Sequence, residues 1–270
     1  MINFNNNIFN ARLVANMEKV SVADVITTAP IERTGYSARF APVQAGTVKD
    51  YEGSVEWDDA SVTPVDLTLN QRKYFAFGLD DLERVQTNPK EVDKVTAKQG
   101  RGLAEVTDTF VLNQIATGAG NKIGSASTKE QITKPGDAYE LLVDMNTKLS
   151  QKKAPRADRY AVINNEFLAL LEKDDRFTRN AQILANGIVD GANINGMKII
   201  VSEELPTSKI VALQKEATGY AKFIDEVEAM RLQSAFAWGI RGLNVYDAKM
   251  LEKDFAVVAH YEIATGEVGA

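Results

Sequence analysis

Between Asn88 and Ile115, Val92, Val95, Leu103, Val106 and Phe110 recur at steps compatible with one helical face. Lys90, Lys94, Lys98, Arg101, Glu105 and Asp108 supply polar positions between them. Asn88-Pro89-Lys90-Glu91 reads as a start. Asn88 caps through its side-chain oxygen, Pro89 suits the first helical position, and Glu91 reaches back to the cap amide. Gly118 and Gly120 follow the last apolar residues and end the run. The pattern predicts one helix about 40 Å long. Gly100 and Gly102 sit inside it, each costing about 1 kcal/mol relative to alanine, and mark the middle as a place to bend.

Upstream the period changes. Val65, Leu67 and Leu69 alternate with Asp66, Thr68 and Asn70, as in a strand with one polar face. Tyr74 to Phe77 continues the run, and Ala38, Phe40 and Pro42 open an extended segment on its near side. Together they predict a long hairpin from Tyr36 to Leu79 whose tip, Lys49 to Asp59, is turn-rich and acidic. A two-stranded hairpin is marginal in water alone, so it must lie on its own domain or on a neighbour. Tyr51 and Trp57 near the tip favour a neighbour, because such side chains anchor interfaces. Glu52, Glu56, Asp58 and Asp59 lack the spacing and turn glycine of a calcium loop and read as a solvated tip. Met1 to Ala29 forms an arm: its asparagine-rich start is poor in regular structure, and Arg12 to Ala23 can form one short helix. Phe4 and Phe9 suggest that the arm is tied down somewhere, another subunit being one such place; the alternative is a loose end.

Downstream, helices and strands alternate. Asp137 caps a helix, with Glu140 three residues later and a buried stripe of Leu141, Leu142, Met145 and Leu149. Arg159 to Ile163 is a short strand. Asn165 caps a helix from Glu166 to Glu172 with Phe167, Leu168, Leu170 and Leu171 inward. Asn195-Gly196 is a hairpin turn. Lys198 to Val201, Ile210 to Leu213, Gly239 to Tyr246 and Phe255 to Tyr261 are strands. Ala221 to Met230 fits a helix or an edge strand equally well.

Composition removes several classes of chemistry. The 270 residues contain no cysteine and one histidine, His260, which excludes disulfides, thiolate catalysis, cysteine metal sites and multi-histidine sites. No apolar run is long enough to span a membrane, and the N-terminus lacks the basic start and apolar core of a signal peptide. A net charge of −6 does not fit a dedicated nucleic-acid binder. Gly118 to Gly124 has several glycines but neither phosphate-loop spacing, and reads as a linker. An acid–base hydrolase would draw on pairs such as Asp174 and Asp175 or Glu203 and Glu204. Adjacent residues on a strand face opposite ways, and such pairs are ordinarily solvated turns. No catalytic, cofactor-binding or metal-binding residue is assigned.

The order of these parts resembles the major capsid proteins of tailed bacteriophages, the Hong Kong 97-type fold. That fold is α+β, with an N-terminal arm, an extended hairpin loop, a long spine helix with a peripheral domain, and an axial domain. The resemblance divides the chain into an arm at 1–35, the loop at 36–80, and the spine with part of the peripheral domain at 81–134. A mainly axial region follows at 135–240, then returning strands and tail at 241–270. Gly191 to Pro206 looks like the family's turn, Ile-x-Gly-x-x-Ile strand and proline, carried here by Ile194, Gly196, Ile199 and Pro206. The resemblance implies a non-enzymatic virion subunit, assembled in the host bacterial cytoplasm. It implies hexamers and pentamers in an icosahedral shell around double-stranded DNA held without sequence readout, together with a portal protein. Because the arm starts at Met1, it also implies a separate scaffolding protein. Inter-subunit contacts then fall to Phe4, Phe9, Tyr51, Glu52, Glu56, Trp57, Asp58 and Asp59, and spine flexing to Gly100 and Gly102. Some relatives join subunits through a Lys–Asn bond. Lys49 and Asn244 are available, but nothing in the sequence pairs them, and that chemistry is not carried over. A nanocompartment enclosing enzymes is the alternative within the same fold. The long spine helix argues against a tail-tube protein.

Overall fold

A computed structural model describes residues 6–41, 50–51, 64–80, 89–174, 176–177, 182–183, 188–233 and 237–264. The chain opens with helices α1 (Asn6–Val20) and α2 (Ala23–Ile26), then strands β1 (Glu32–Thr34), β2 (Ser37–Phe40), β3 (Val65–Thr68) and β4 (Gln71–Asp80). The long helix α3 (Pro89–Gly118) follows, then β5 (Asn121–Ile123), β6 (Glu130–Ile132), helix α4 (Pro135–Gln151), β7 (Arg159–Ile163) and helix α5 (Asn165–Leu171). The chain ends in strands β8 (Gln182–Ile183), β9 (Ile188–Ile194), β10 (Met197–Val201), β11 (Lys209–Gln214), β12 (Thr218–Arg231), β13 (Ala237–Met250) and β14 (Ala256–Ile263).

One mixed sheet runs β5-β14-β11-β7-β10-β9-β8, with β6 also pairing β14. Its central strands are covered on both faces. Along β7, Ala161 and Ile163 join the core under α4 and α5, with Leu142, Met145, Leu149 and Phe167. Tyr160 and Val162 face the other way, against Val111, Leu112 and Ile115 of α3. All five β7 residues are buried, as a strand covered on both faces requires. The second sheet, β12-β13-β4, is built on two 14-residue antiparallel strands, β12 and β13. The ambiguous segment Ala221 to Met230 is therefore the edge strand of this sheet. The third sheet, β1-β2-β3, is small.

The pairing revises the predicted hairpin. Strand β2 does pair with β3, Phe40 opposite Val65. But β4 turns away at Asn70 and pairs with β13 over its whole length, from Gln71 opposite Tyr246 to Asp80 opposite Ala237. Alternation reveals that β4 is a strand; it carries no information about the partner.

Two helix starts shift as well. The cap of α5 is Asn164, one residue earlier than expected, and its side-chain oxygen accepts from Phe167 N at 2.9 Å. Helix α4 begins at Pro135, so Asp137 lies within its first turn. Asp137 accepts from the amides of Thr133 and Lys134, each at 2.9 Å, closing the turn from inside. Asn195 (φ 51°) and Gly196 (φ 81°) form the expected hairpin turn. Asn164→Ala is expected to cost about 1 kcal/mol, seen as a lower thermal midpoint with unchanged circular dichroism.

The long helix matches its predicted span, but the predicted buried face was misplaced. Thr96, Gly100, Leu103, Ala104, Thr107, Asp108, Val111, Leu112 and Ile115 are buried, whereas Val106 is 43 % exposed. The helix packs against the arm along its first half, where small and polar residues allow close approach. Hydrophobicity alone does not mark that face.

Candidate assembly interface

The arm is tied to its own chain. From α1, Leu13 and Met17 insert between Leu103 and Ala104 of the spine and Phe75 and Ile240 of the second sheet. Gly100 permits this approach: a Cβ there would lie 3.1 Å from Met17 N and 3.2 Å from Asn16 Cβ. Beside Gly102 there is open space. Regular helix begins at Asn6, inside the asparagine run that was expected to lack it.

The turn between α1 and α2 is fastened by Asp108, which is 3 % exposed. One carboxylate oxygen accepts from Ser21 Oγ and Ala23 N at 2.9 Å each, and the other from Val22 N at 2.8 Å. Burial pushes its pKa up to about 6, outweighing the opposing pull of these donors; the nearby Asp24 charge adds to the rise. Lys222 of β12 pairs with Asp24 and, at 3.7 Å, with Glu18. Thr28 Oγ1 donates to Lys215 O at 2.9 Å.

The base of the loop rests on the second sheet. Phe40, Leu67 and Leu69 pack on Ala221 and Val245. The Phe40 ring lies on Gly219, where a Cβ would come within 2.7 Å of it. Gly219→Val is expected to lift Phe40 and cost about 1–3 kcal/mol, read as a lower thermal midpoint. At the surface Arg39 bridges Asp66 at 2.8 Å. Of the predicted tip residues, Tyr51 is 77 % exposed. Glu52, Glu56, Trp57, Asp58, Asp59 and Phe4 lie outside the described residues, as does the side chain of Phe9.

Asn244 is fully buried, and its Nδ2 donates to Thr107 Oγ1 of the spine at 3.4 Å. In this conformation it is inaccessible to any lysine from outside. Among the described residues its Oδ1 has no hydrogen-bond partner. The paired acids have structural roles. Asp174 binds Arg176 at 2.7 Å, and hydrogen bonds from Arg176 hold its carboxyl below the usual range. Glu203 accepts from Asn165 N at 2.7 Å, and Glu204 accepts from Thr109. Asp175 lies outside the described residues. Among the described residues no acidic or histidine group is arranged to hold a metal, and no helix is long and apolar enough to cross a membrane.

Sequence reasoning missed Ser21 and Gly219, and it placed Asp108 among the polar positions of the long helix without its role as the arm's anchor. The available signal was Thr107-Asp108-Thr109, three polar residues directly before the apolar Phe110-Val111-Leu112 of a packed helix.

An arm on a long spine, a loop base on a three-stranded sheet and a separate mixed sheet compose a Hong Kong 97-type capsid fold. A structure described as Mycobacterium phage Che8 is 28 % identical with a TM-score of 0.62, covering 84 % of this chain and 85 % of that one. The capsid of cyanophage P-SCSP1u is 15 % identical with a TM-score of 0.66, covering 91 % and 89 %. A virus-like particle from Pyrococcus furiosus is 15 % identical with a TM-score of 0.61, covering 94 % and 98 %. No curated protein matches the chain. The family described as phage capsid protein matches residues 63–261. The chain belongs to this phage capsid protein family and is a structural, non-enzymatic subunit of a multi-subunit shell.

Proposed function

We propose that the protein is the major capsid protein of a tailed bacteriophage, forming hexamers and pentamers in an icosahedral shell around double-stranded DNA. The match to the phage capsid family over residues 63–261 carries this reading. Assembly takes place in the host cytoplasm, with a separate scaffolding protein and a portal protein. Each inter-subunit contact can be weak, because many act together once the lattice closes. The DNA is held without sequence readout. Flexing of the spine falls to Gly102, which has open space beside it, more than to Gly100, which is held against α1.

A second reading is a nanocompartment that encloses protein. The likeness in fold to the Pyrococcus furiosus virus-like particle, over 94 % of this chain, favours it. Particles purified from infected or expressing cells distinguish the two. The capsid reading predicts nuclease-resistant double-stranded DNA inside particles from infected cells. A defined protein cargo with no protected DNA would replace it with the compartment reading.

A further inference from the structure

The mixed sheet is covered on both faces at its centre, but its cover thins where β14 ends. There the alternation of the strands gathers charge on one side. Ile210 of β11, Val257 and Ala259 of β14 and Ile123 of β5 pack under α4 and α5. Val211 and Val258 pack on the side of the spine. Successive residues of a strand face opposite ways, so Lys122, Lys209 and His260 all stand on the spine side. Lys209 lies directly opposite His260 in the β11–β14 register, on strands about 4.8 Å apart. On the other flank β5 and β6 both pair with β14, Lys122 beside Val258 and Glu130 beside Tyr261. Lys129 precedes Glu130 and approaches His260 from that flank. Lys122 is exposed, and Lys129, Lys209 and His260 are half-buried.

Turn geometry fixes where these cations stand. In the loop between β5 and β6, Ser125 N donates to Thr128 O at 2.7 Å and Thr128 N donates to Ser125 Oγ at 3.0 Å. Gly124 (φ 66°) is pressed against β14, where a Cβ would lie 3.0 Å from His260 O. This returns the chain to β14 with Lys129 at its edge. On the other flank Ser208 (φ 58°) precedes Lys209, and its carbonyl accepts from Tyr261 N at 3.1 Å.

The charge is not neutralised within the subunit. None of the three lysines has an ion-pair partner among the described residues. Glu262 stands two residues beyond His260 on the same face and accepts from Gln131 Nε2 at 3.1 Å. The crowding acts on His260: partial burial, and after it the charges of Lys209, Lys122 and Lys129, hold its pKa below the ordinary value. Like charges held together cost free energy that a polyanion returns. In a chain of net charge −6, such a patch is a local reversal of sign. Its chemistry selects among polyanions. Lysine binds phosphate as a point charge, and the patch has no arginine fork to grip a carboxylate in two places. Protein partners are held through aromatic and apolar anchors, and none of the four side chains supplies one.

We propose that Lys122, Lys129, Lys209 and His260 hold the phosphate backbone of the enclosed double-stranded DNA, which turns the spine side of the mixed sheet toward the shell interior. This contact rests on the reading of the protein as a DNA-enclosing subunit. It works by charge alone and carries no sequence information.

The test uses the full chain, dissociated to subunits or capsomers so that both faces are open, and a short fluorescent DNA duplex of mixed sequence. Three forms are compared: the wild type, a patch variant (Lys122→Gln, Lys129→Gln and Lys209→Gln) and a control variant (Lys134→Gln, Lys153→Gln and Lys173→Gln). The control removes the same charge from exposed positions beside the ends of α4 and α5. Circular dichroism and thermal midpoint should match across the three. Wild-type affinity should fall with salt at a log–log slope of about −3. The patch variant should bind at least about tenfold more weakly with a slope near zero, while the control stays within about twofold of the wild type. Acetylation of Lys122, Lys129 and Lys209, read by mass spectrometry, should slow several-fold when the duplex is added, with Lys153 and Lys173 unchanged. Wild-type subunits that ignore the duplex at low salt, or a patch variant that binds like the wild type, overturn the proposal. So does lysine-dependent binding of polyglutamate in preference to the duplex, which assigns the surface to an acidic protein. Particles from infected cells that protect no DNA overturn the DNA-enclosing reading itself; DNA-filled particles whose subunits bind the duplex without these lysines overturn the patch alone.

Discussion

Asp108→Ala is expected to lower the stability of the subunit by about 3 kcal/mol and to release the arm. The substitution leaves Ser21 Oγ, Val22 N and Ala23 N without their acceptor in a site that water does not reach. Each orphaned buried donor costs about 1–3 kcal/mol, but the ionised carboxylate already bears a desolvation cost, so the losses do not simply add. A thermal midpoint lower by about 6–12 °C follows for a chain of this size. Limited trypsin digestion should cut sooner at Arg12 and Lys19, which lie on the arm. Asp108→Asn, which keeps one accepting oxygen, should lose less. The pH dependence separates charge from shape. The carboxyl titrates near 6 in the folded chain against an ordinary value of 3.8, so the folded state binds the proton more tightly. Its contribution is fully present below about pH 4 and is lost as pH rises through about 6. The wild type should therefore gain stability on acidification across that window relative to Asp108→Asn; parallel curves for the two would contradict the assignment.

Gly100→Leu is expected to be nearly as damaging, by a different route. A Cβ at this position would already meet the α1 backbone at 3.1 Å, and the leucine carries three further carbons in the same direction. Removing a helical glycine returns up to about 1 kcal/mol of propensity. Against this, displacing α1 exposes Leu13 and Met17, each worth about 1.5–3 kcal/mol of burial. A net loss of about 3 kcal/mol is expected, again with faster cleavage at Lys19. Gly102→Leu is the control: with nothing within 4 Å of its Cβ, it should be neutral or slightly stabilising. Equal losses at both glycines would contradict the packing described for the arm.

These cases separate what the sequence could reveal from what it could not. The ends of α3, the Asn195-Gly196 turn and the α4 stripe were legible because each depends on local chemistry: caps, positive φ and a 3.6-residue period. The face of α3 was not, because its first half meets another helix through Thr96, Gly100 and Ala104, whose smallness matters more than their polarity. Asp108 reads as a surface acid until the arm is seen folded over it. The partner of β4 was hidden because alternation looks the same whether a strand pairs with the preceding strand or with one more than 150 residues later. The arm's anchor was not legible either: α1 from Leu13 onward packs on the spine of its own chain through Leu13 and Met17, which the sequence did not single out. Tyr51, expected among the contact residues, is 77 % exposed in the single chain.

The central claim is assembly. Negative-stain electron microscopy of the purified full-length chain, with its sedimentation profile, tests it most directly. The account predicts capsomer-like rings or closed shells, alone or with a scaffolding protein. A monodisperse monomer at high concentration, unchanged when scaffolding protein is added, would contradict it.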